Sequence, residues 1–411
     1  MSIALVVLIS IAVVVFTAIK TDRLSAVLLS LAFLLRLLVF FADYYHLFPI
    51  PFSGKDTEDF HIATLAYIVG DGPIKTNYTY VLAFFYRIFG DGGRMMAQFF
   101  NVLLSYGTVA LLYATLRWLK VNRKLLLAAV AVLSFMPAIV CLSGVLLREA
   151  WVQFFLMLSA CVFIHWYKKG GVGAVALCLA ATYAAMIMHA GSIGVLPVYV
   201  LGFLFLRTWK TEGVKPYLFT VVVIIGFLTL LPIFPELLLA KFASALSNAL
   251  MSLTHGKVGG AFDIGSGSDG NVFDIKPVES GSAYLLWMRY LSFPVKMLLS
   301  PLKMFYLLFS PLPFDWRNTT DAMVFFADGL VYIVLIVMMF RRPLLTKTSQ
   351  AKRFLIYAIL MVTFVFAVGT FTVGTAIRHR AKYVAVMMLT AAISKIPVEK
   401  PVAEIEKKKE E

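Results

Sequence analysis

The chain has 411 residues, of which 61% are hydrophobic and 14% charged, whereas about a quarter of residues are charged in soluble globular chains. This composition excludes a soluble globular protein, and runs of roughly 17–25 apolar residues, each able to cross a bilayer as helix, recur along the sequence. The net charge of +15 does not point to nucleic acid, because the basic residues are spread over short turns between apolar runs instead of gathering on one face.

In chain order, the first run, 3–19, has no basic region ahead of it and no small-residue cleavage site, so it reads as a retained helix and not a signal peptide. A second run covers 25–41. Residues 42–95 then form an outward segment holding the motif "SGKDTEDFH" and the stretch "NYTYVLAFFYRIFG", whose length and aromatic content suit a helix lying in the membrane interface. Further runs cover 96–116, 125–143, 151–166, 172–188, 192–206 and 218–234. A long outward segment, 235–321, carries the glycine-rich centre "GGAFDIGSGSDGNVFD". Runs 322–340 and 354–374, a short outward turn with "RHRAKY", and a last run 383–393 complete the chain.

The basic clusters at Lys20/Arg23, Arg117 to Lys124, Lys168/Lys169 and Arg341/Arg342 follow the positive-inside pattern and put the N-terminus outside and the C-terminus inside. The expected fold is an all-α polytopic membrane protein with about eleven transmembrane helices. It forms a single membrane domain, 1–394, with a charged cytoplasmic tail, 395–411. Cys141, Cys161 and Cys178 all lie in apolar runs, where packing is a better reading than disulfide formation.

Polar residues stand out in so apolar a chain. Asp56, Glu58, Asp59 and His61 fall within six residues, just after the second run. If a helix begins at Thr57, Asp56 is its N-cap and Glu58 and Asp59 lie in its first turn, which alone accounts for the cluster. Chemistry gives a second account: a carboxylate can take a proton from a reacting hydroxyl, and nearby cations can stabilise a departing anionic group such as phosphate. Arg378 and Arg380, beside His379 and Lys382, suit the second task because guanidinium binds phosphate in a bidentate manner. Arg148 and Glu149 fall in an outward turn, as does His189. Arg36 lies inside the second run, where a charge calls for a partner, and Asp328 in the ninth run is a candidate for it. No zinc spacing, nucleophile elbow, phosphate-binding glycine loop or dinucleotide fingerprint occurs, so no nucleotide cofactor and no ATP-driven pump are expected.

The order of "DTEDFHIATLAY", "YVLAFFYRIFG", "FFNVLLSYGTVALLYATLRWL", "FMPAIVCLSGVLLREAW" and "RHRAKY" resembles the membrane-integral C-type glycosyltransferases, which use polyprenyl-phosphate sugars. The resemblance covers 52–151 and the final "RHRAKY". It implies an acidic residue in the first outward loop as general base, as ligand to a divalent cation (Mg2+ or Mn2+), or both. Asp56, ahead of Phe60 and Ala63, matches that position best. Asp59 is second, with Glu58 between them, and Asp56 and Asp59 are the metal candidates. It also places an acidic residue near the donor at Glu149. With Arg378 and Arg380, the side chains of His61, Arg148, Glu149, His189 and Lys382 form the expected substrate-binding set.

The function implied is inverting transfer of a sugar from a polyprenyl-phosphate donor to a glycan, lipid or protein acceptor at the outer face. A bacterial inner membrane is the expected location; the terminal "KKEE" and sequons at Asn77 and Asn318 keep the endoplasmic reticulum open. Two alternatives remain. A polysaccharide polymerase, moving a lipid-pyrophosphate-linked repeat unit, should carry an arginine-rich outward loop, and here that loop holds only Arg289 and Arg317. A non-enzymatic lipid or glycan transporter should carry its charged or broken-helix positions at mid-membrane depth.

Overall fold

In hydrocarbon every backbone N–H and C=O must be satisfied within the chain, and a sequence this apolar meets that demand as helix. The computed structural model describes residues 2–71, 76–206, 214–230, 283–291, 293–340 and 350–393; the glycine-rich centre of the long segment and the charged tail lie outside them. Among the described residues the chain is helical, and its β-structure is one isolated bridge, Ala283 with Thr372.

The helices that position the site are α1 (Ser2–Lys20), α2 (Arg23–Tyr44), α3 (Lys55–Val69), α4 (Asn77–Phe89), α5 (Gly93–Trp118), α6 (Arg123–Phe135), α7 (Pro137–Gly144) and α8 (Glu149–Lys169). They are followed by α9 (Val172–Met188), α10 (Leu196–Phe205), α11 (Val214–Leu230), α12 (Ser300–Phe309), α13 (Thr319–Phe340), α14 (Gln350–Gly369), α15 (Val373–Ala381) and α16 (Val384–Ile393). Among the described residues, six helical stretches are long and apolar enough, by length and composition, to cross a membrane: Ser2–Lys20, Arg23–Tyr44, Asn77–Trp118 (α4 together with α5), Glu149–Lys169, Thr319–Phe340 and Gln350–Gly369. The bent pair α6 and α7 makes a seventh if taken as one span. The protein is therefore a polytopic helical membrane protein. The described residues hold four more apolar helices of 10–17 residues: Val172–Met188, Ala190–Phe205, Val214–Thr229 and Val384–Ile393.

The last of these, α16, is buried at every position, whereas α1 buries only Val6 and Thr17. The core therefore gathers around α5, α8 and α16, with α1 at the edge. Helix α4 folds back on α5 through the turn Gly90–Gly92. That approach is close: a Cβ on Gly93 would lie 2.5 Å from Tyr86 Cα. Tyr78, Leu82, Phe85 and Tyr86 are buried, while Tyr80, Phe84 and Ile88 form an exposed stripe at helical spacing, as suits a helix with one apolar face open to lipid.

The expected run 125–143 is broken. Pro137 cannot donate to the carbonyl four residues back, and the axis bends by 52° between α6 and α7. The bend strands the carbonyls of Leu133 and Ser134, and Arg36 satisfies them. Its guanidinium is fully buried and donates to Ser134 O at 3.0 Å, Leu133 O at 3.3 Å, Ala32 O at 2.8 Å and Ser105 Oγ at 3.0 Å. The expected Arg36–Asp328 pairing is thus corrected: proline-freed carbonyls hold Arg36. Asp328 instead lies in a π-helical turn, Phe325–Gly329, within the field of Arg380.

Beyond Gly144 the chain is unwound over 145–148, and Val145, Leu146 and Leu147 are fully buried there. Gly144 packs directly on α2: a Cβ there would lie 2.7 Å from Phe40 N and 2.9 Å from Val39 C. Gln98 ties the same corner together, donating to Asp43 Oδ2 at 2.6 Å and Gly144 O at 3.2 Å. Because backbone cannot yield as a flexible side chain does, Gly144→Ala is expected to destabilise the protein by about 1–3 kcal/mol, read as a lowered unfolding midpoint in detergent.

The two ends of the bundle differ in charge. One carries Lys20, Arg117, Arg123, Lys168 and Lys169, with an Arg123–Asp22 pair at 2.8 Å and both lysines over the Trp118 ring. The other carries the N-termini of α5 and α8, the C-terminus of α2 and the polar cluster described next.

Candidate active site

Helix α3 starts earlier than the sequence suggests. Its N-cap is Gly54, at φ 136°, a conformation that L side chains rarely adopt, and the Thr57 hydroxyl donates to Gly54 O at 2.6 Å while accepting from Gly54 N at 3.2 Å. The expected capping by Asp56 is therefore corrected. The cap is made by Thr57 and backbone, and Asp56 lies in the first turn with its carboxylate directed elsewhere.

That carboxylate meets Arg378, which lies 322 residues away on α15. The Arg378 guanidinium is shared. Nη1 donates to Asp56, while Nε and Nη2 donate to Glu149 Oε1 at 3.1 Å and 2.9 Å. Lys382 Nζ stands 3.8 Å from the same oxygen of Glu149. Arg148 completes the group, interacting electrostatically with Glu149, Arg378 and Asp56 while its guanidinium lies over the Phe60 ring at 6.0 Å. The partners differ in exposure: the side chains of Glu149 and Lys382 are 4% and 1% exposed, Arg378 is 21% and Asp56 is 56%. Asp56 is thus the solvent-facing member of a cluster whose floor is Glu149.

The charges behave accordingly. Burial disfavours the Arg378 charge, but Glu149 and then Asp56 outweigh it, so Arg378 holds its proton more firmly than a free arginine. Burial drives Lys382 well below the ordinary lysine range; Glu149 pulls upward, and Arg148 and Arg378 push further down. His379 is likewise held far below the usual histidine range, by burial first and then by Lys382, and is neutral at pH 7. Its Nδ1 shares a 2.9 Å hydrogen bond with the Thr370 hydroxyl.

The unwound segment 145–148 gives Arg148 and Glu149 their positions, and Asn101 holds it. The Asn101 amide donates to Val145 O at 2.8 Å, Leu147 O at 2.9 Å and Tyr78 OH at 3.3 Å, and its oxygen accepts from Trp151 Nε1 at 2.8 Å. Phe60 of α3 packs edge-on against Tyr78 at 5.3 Å, so one network links the acidic helix to the helix break. Glu149 also starts α8, where the positive end of the helix dipole favours a carboxylate. On its inner side a small cavity is lined by Ser105, Ser143, Glu149 and Gln153, and Gln153 Nε2 reaches Ala381 O at 3.0 Å, fixing α8 to the end of α15.

The other candidates sort by helix geometry. Glu58 is committed to Arg94 of α5 through two bonds, at 2.6 Å and 3.1 Å, and this hydrogen bonding lowers its pKa despite burial. His61 pairs with the Tyr86 hydroxyl at 2.6 Å, and burial followed by Arg94 lowers its pKa. Glu58 and His61, three apart, brace one face of α3 against α4 and α5, and this leaves Asp56 on another face. Asp59 is half-buried one turn beyond Asp56.

Arg380 is separated from the site. Two positions on a helix do not share a face, so Arg380 turns away from Arg378 into the protein. It is fully buried, donates to Leu308 O at 2.9 Å and Ser310 O at 2.6 Å, and lies over the Tyr332 ring at 4.9 Å. This corrects its placement beside Arg378 in the expected phosphate-binding pair. His189 backs the cluster from within, its ring 5.1 Å from that of His379, and accepts the Gly191 N–H at 3.2 Å.

Among the described residues no three of His, Cys, Asp and Glu converge as a metal would require. Asp56 faces a guanidinium among further cations, a donor set that does not fit a divalent ion, so no step below passes through one. Asn101 and Gln153 were not among the expected site residues. The only sequence signal for Asn101 was its place near the start of "FFNVLLSYGTVALLYATLRWL". A comparison of the chain with protein-family models and with curated proteins finds no match.

Proposed function

We propose that this protein is an inverting glycosyltransferase of the C-type architecture, with about eleven crossings and an active site on the outer face of a bacterial inner membrane. The reading rests on one observation above all. A half-exposed carboxylate from the first outward segment, Asp56, and the buried or half-buried group Arg148, Glu149, Arg378 and Lys382 come together from three distant stretches of sequence. The charge asymmetry of the two ends supports the orientation, since the basic end belongs in the cytoplasm.

In this reading Arg378 binds the donor phosphate with Lys382 and Arg148, while Glu149 holds Arg378 in position. The acceptor hydroxyl attacks the anomeric carbon from the side opposite the phosphate, and Asp56 accepts its proton. The bond from the anomeric carbon to the phosphate oxygen breaks with its electron pair leaving on the phosphate, where the cations stabilise it. Direct displacement inverts the anomeric centre. Glycan, lipid and protein acceptors all present a hydroxyl of this kind.

The deciding experiment supplies purified protein in lipid with polyprenyl-linked sugars and membrane acceptors and identifies the carrier released. Release of polyprenyl monophosphate by wild type but not by Asp56→Asn supports the glycosyltransferase. Release of pyrophosphate points to the polymerase. No turnover together with lipid flipping in vesicles points to the transporter.

A pH dependence follows from Lys382. Its pKa is depressed in the resting protein, and an anionic phosphate placed beside it raises it again, so binding takes up a proton. Affinity for polyprenyl monophosphate should therefore fall as pH rises between the free and bound pKa values of Lys382. Working above pH 7 keeps the ligand's own second ionisation, at about pH 6, out of the signal. Calorimetry in buffers of different ionisation enthalpy should detect the proton, and Lys382→Met should abolish its uptake.

A further inference from the structure

Arg378 has a fixed partner and a replaceable one. Glu149 takes two of its N–H groups from inside the protein, at 3.1 Å and 2.9 Å, and its side chain is 4% exposed. Asp56 takes the remaining Nη1 edge from the solvent side, and its side chain is 56% exposed. Exposed ion pairs are weak and exchange readily, whereas buried hydrogen-bonded ones do not. A ligand reaching Arg378 from outside therefore meets the edge that Asp56 occupies.

Charge points to the chemistry of that ligand. Arg148 and Arg378 face one buried carboxylate, Glu149, so one positive charge is left for Asp56 to neutralise, and Lys382 adds a second cation when protonated. Arg148 is half-buried, and its Nε has no hydrogen-bond partner among the described residues. With Asp56 displaced, this is a site for a singly or doubly charged tetrahedral oxyanion.

We propose that the lipid phosphate and the Asp56 carboxylate compete for the same edge of Arg378, so that binding of the donor releases the base and the donor binds before the acceptor. This inference rests on the glycosyltransferase reading. In the resting protein the Asp56 carboxylate is engaged by Arg378. A donor phosphodiester takes the Nη1 edge, and the freed carboxylate turns to the acceptor hydroxyl beside it. After transfer Asp56 carries the acceptor's proton, is neutral and cannot compete, and the phosphomonoester stays on Arg378. Once Asp56 loses that proton to solvent, the carboxylate returns to Nη1 and the product phosphate leaves. One pair of groups then sets both substrate order and product release.

The experiment measures binding of a short-chain polyprenyl monophosphate to the full chain in phosphatidylcholine nanodiscs, for wild type, Asp56→Asn, Asp56→Ala and Arg378→Gln. Competition predicts that both Asp56 variants, although impaired in transfer, bind about threefold to tenfold more tightly than wild type, the range set by loss of one partly exposed ion pair. Arg378→Gln should bind weakly. Equal or weaker binding by the Asp56 variants, with Arg378→Gln still impaired, overturns the exchange and leaves the phosphate site standing. No binding by wild type, or unimpaired binding by Arg378→Gln, overturns the phosphate site and the exchange with it. Full displacement by phosphatidylglycerol added to the discs would assign the edge to a lipid headgroup and overturn the proposal.

Discussion

Asp56→Asn is expected to lower sugar transfer by about 10²–10⁴-fold, the range for loss of a general acid–base group, while the protein stays folded. Both halves follow from its place at the rim of the site. The side chain is 56% exposed and caps no helix, because Gly54 and Thr57 start α3 without it. Its ion pair with Arg378 is the most exposed contact in the cluster, and such pairs contribute about 0–1 kcal/mol. Asparagine keeps the volume and loses the base. Glu58→Gln serves as the contrast: it removes an ion pair with Arg94, so it should lower stability while activity per folded molecule changes little. Initial rates and unfolding midpoints for both variants test this. Full activity in folded Asp56→Asn would move the base to Asp59, and full activity in an Asp56→Asn, Asp59→Asn double variant would sink the mechanism.

Glu149→Gln is expected to have the largest effect on folding, a loss of about 3–5 kcal/mol, as for removal of one partner from a buried charge pair. Glu149 is the carboxylate on which Arg378, Arg148 and Lys382 converge, and its side chain is 4% exposed. Without it two permanent cations face each other across the unwound segment, and Asp56, at the rim, cannot replace a buried counter-charge. Lys382 can relieve part of the strain by giving up its proton, which its depressed pKa already favours. Glu149→Gln with Lys382→Met should therefore be less destabilised than the sum of the two single variants. Thermal unfolding of the four proteins in one detergent gives the coupling directly, and simple additivity would show that Glu149 does not serve as the shared counter-charge.

Much of this protein was legible in one dimension. Apolar runs of bilayer length specify helices whatever their neighbours, because unsatisfied backbone has no place in hydrocarbon. A chain with 61% hydrophobic residues makes its few charges conspicuous, and Asp56, Glu149, Arg378 and Lys382 could be named as candidates before any contact was known. The fourth run, 125–143, reads as one helix by its apolar length, yet Pro137 inside it lacks the N–H that a helix interior needs and the structure breaks there.

What the sequence could not supply was the choice among neighbours. Asp56, Glu58 and Asp59 are chemically alike. Only packing of α3 against α4 and α5 commits Glu58 to Arg94 and turns Asp56 toward Arg378. Arg378 and Arg380 look equivalent in "RHRAKY", but helical rotation sends one into the cluster and the other to the carbonyls of Leu308 and Ser310. Arg36 seemed to need an acidic partner and instead found carbonyls released by a proline about a hundred positions away in the chain. Local sequence determined which segments are helical and which residues could carry chemistry. The tertiary structure alone decided which charges meet, because an ion pair depends on distance and burial, and segments up to 322 residues apart supply the partners.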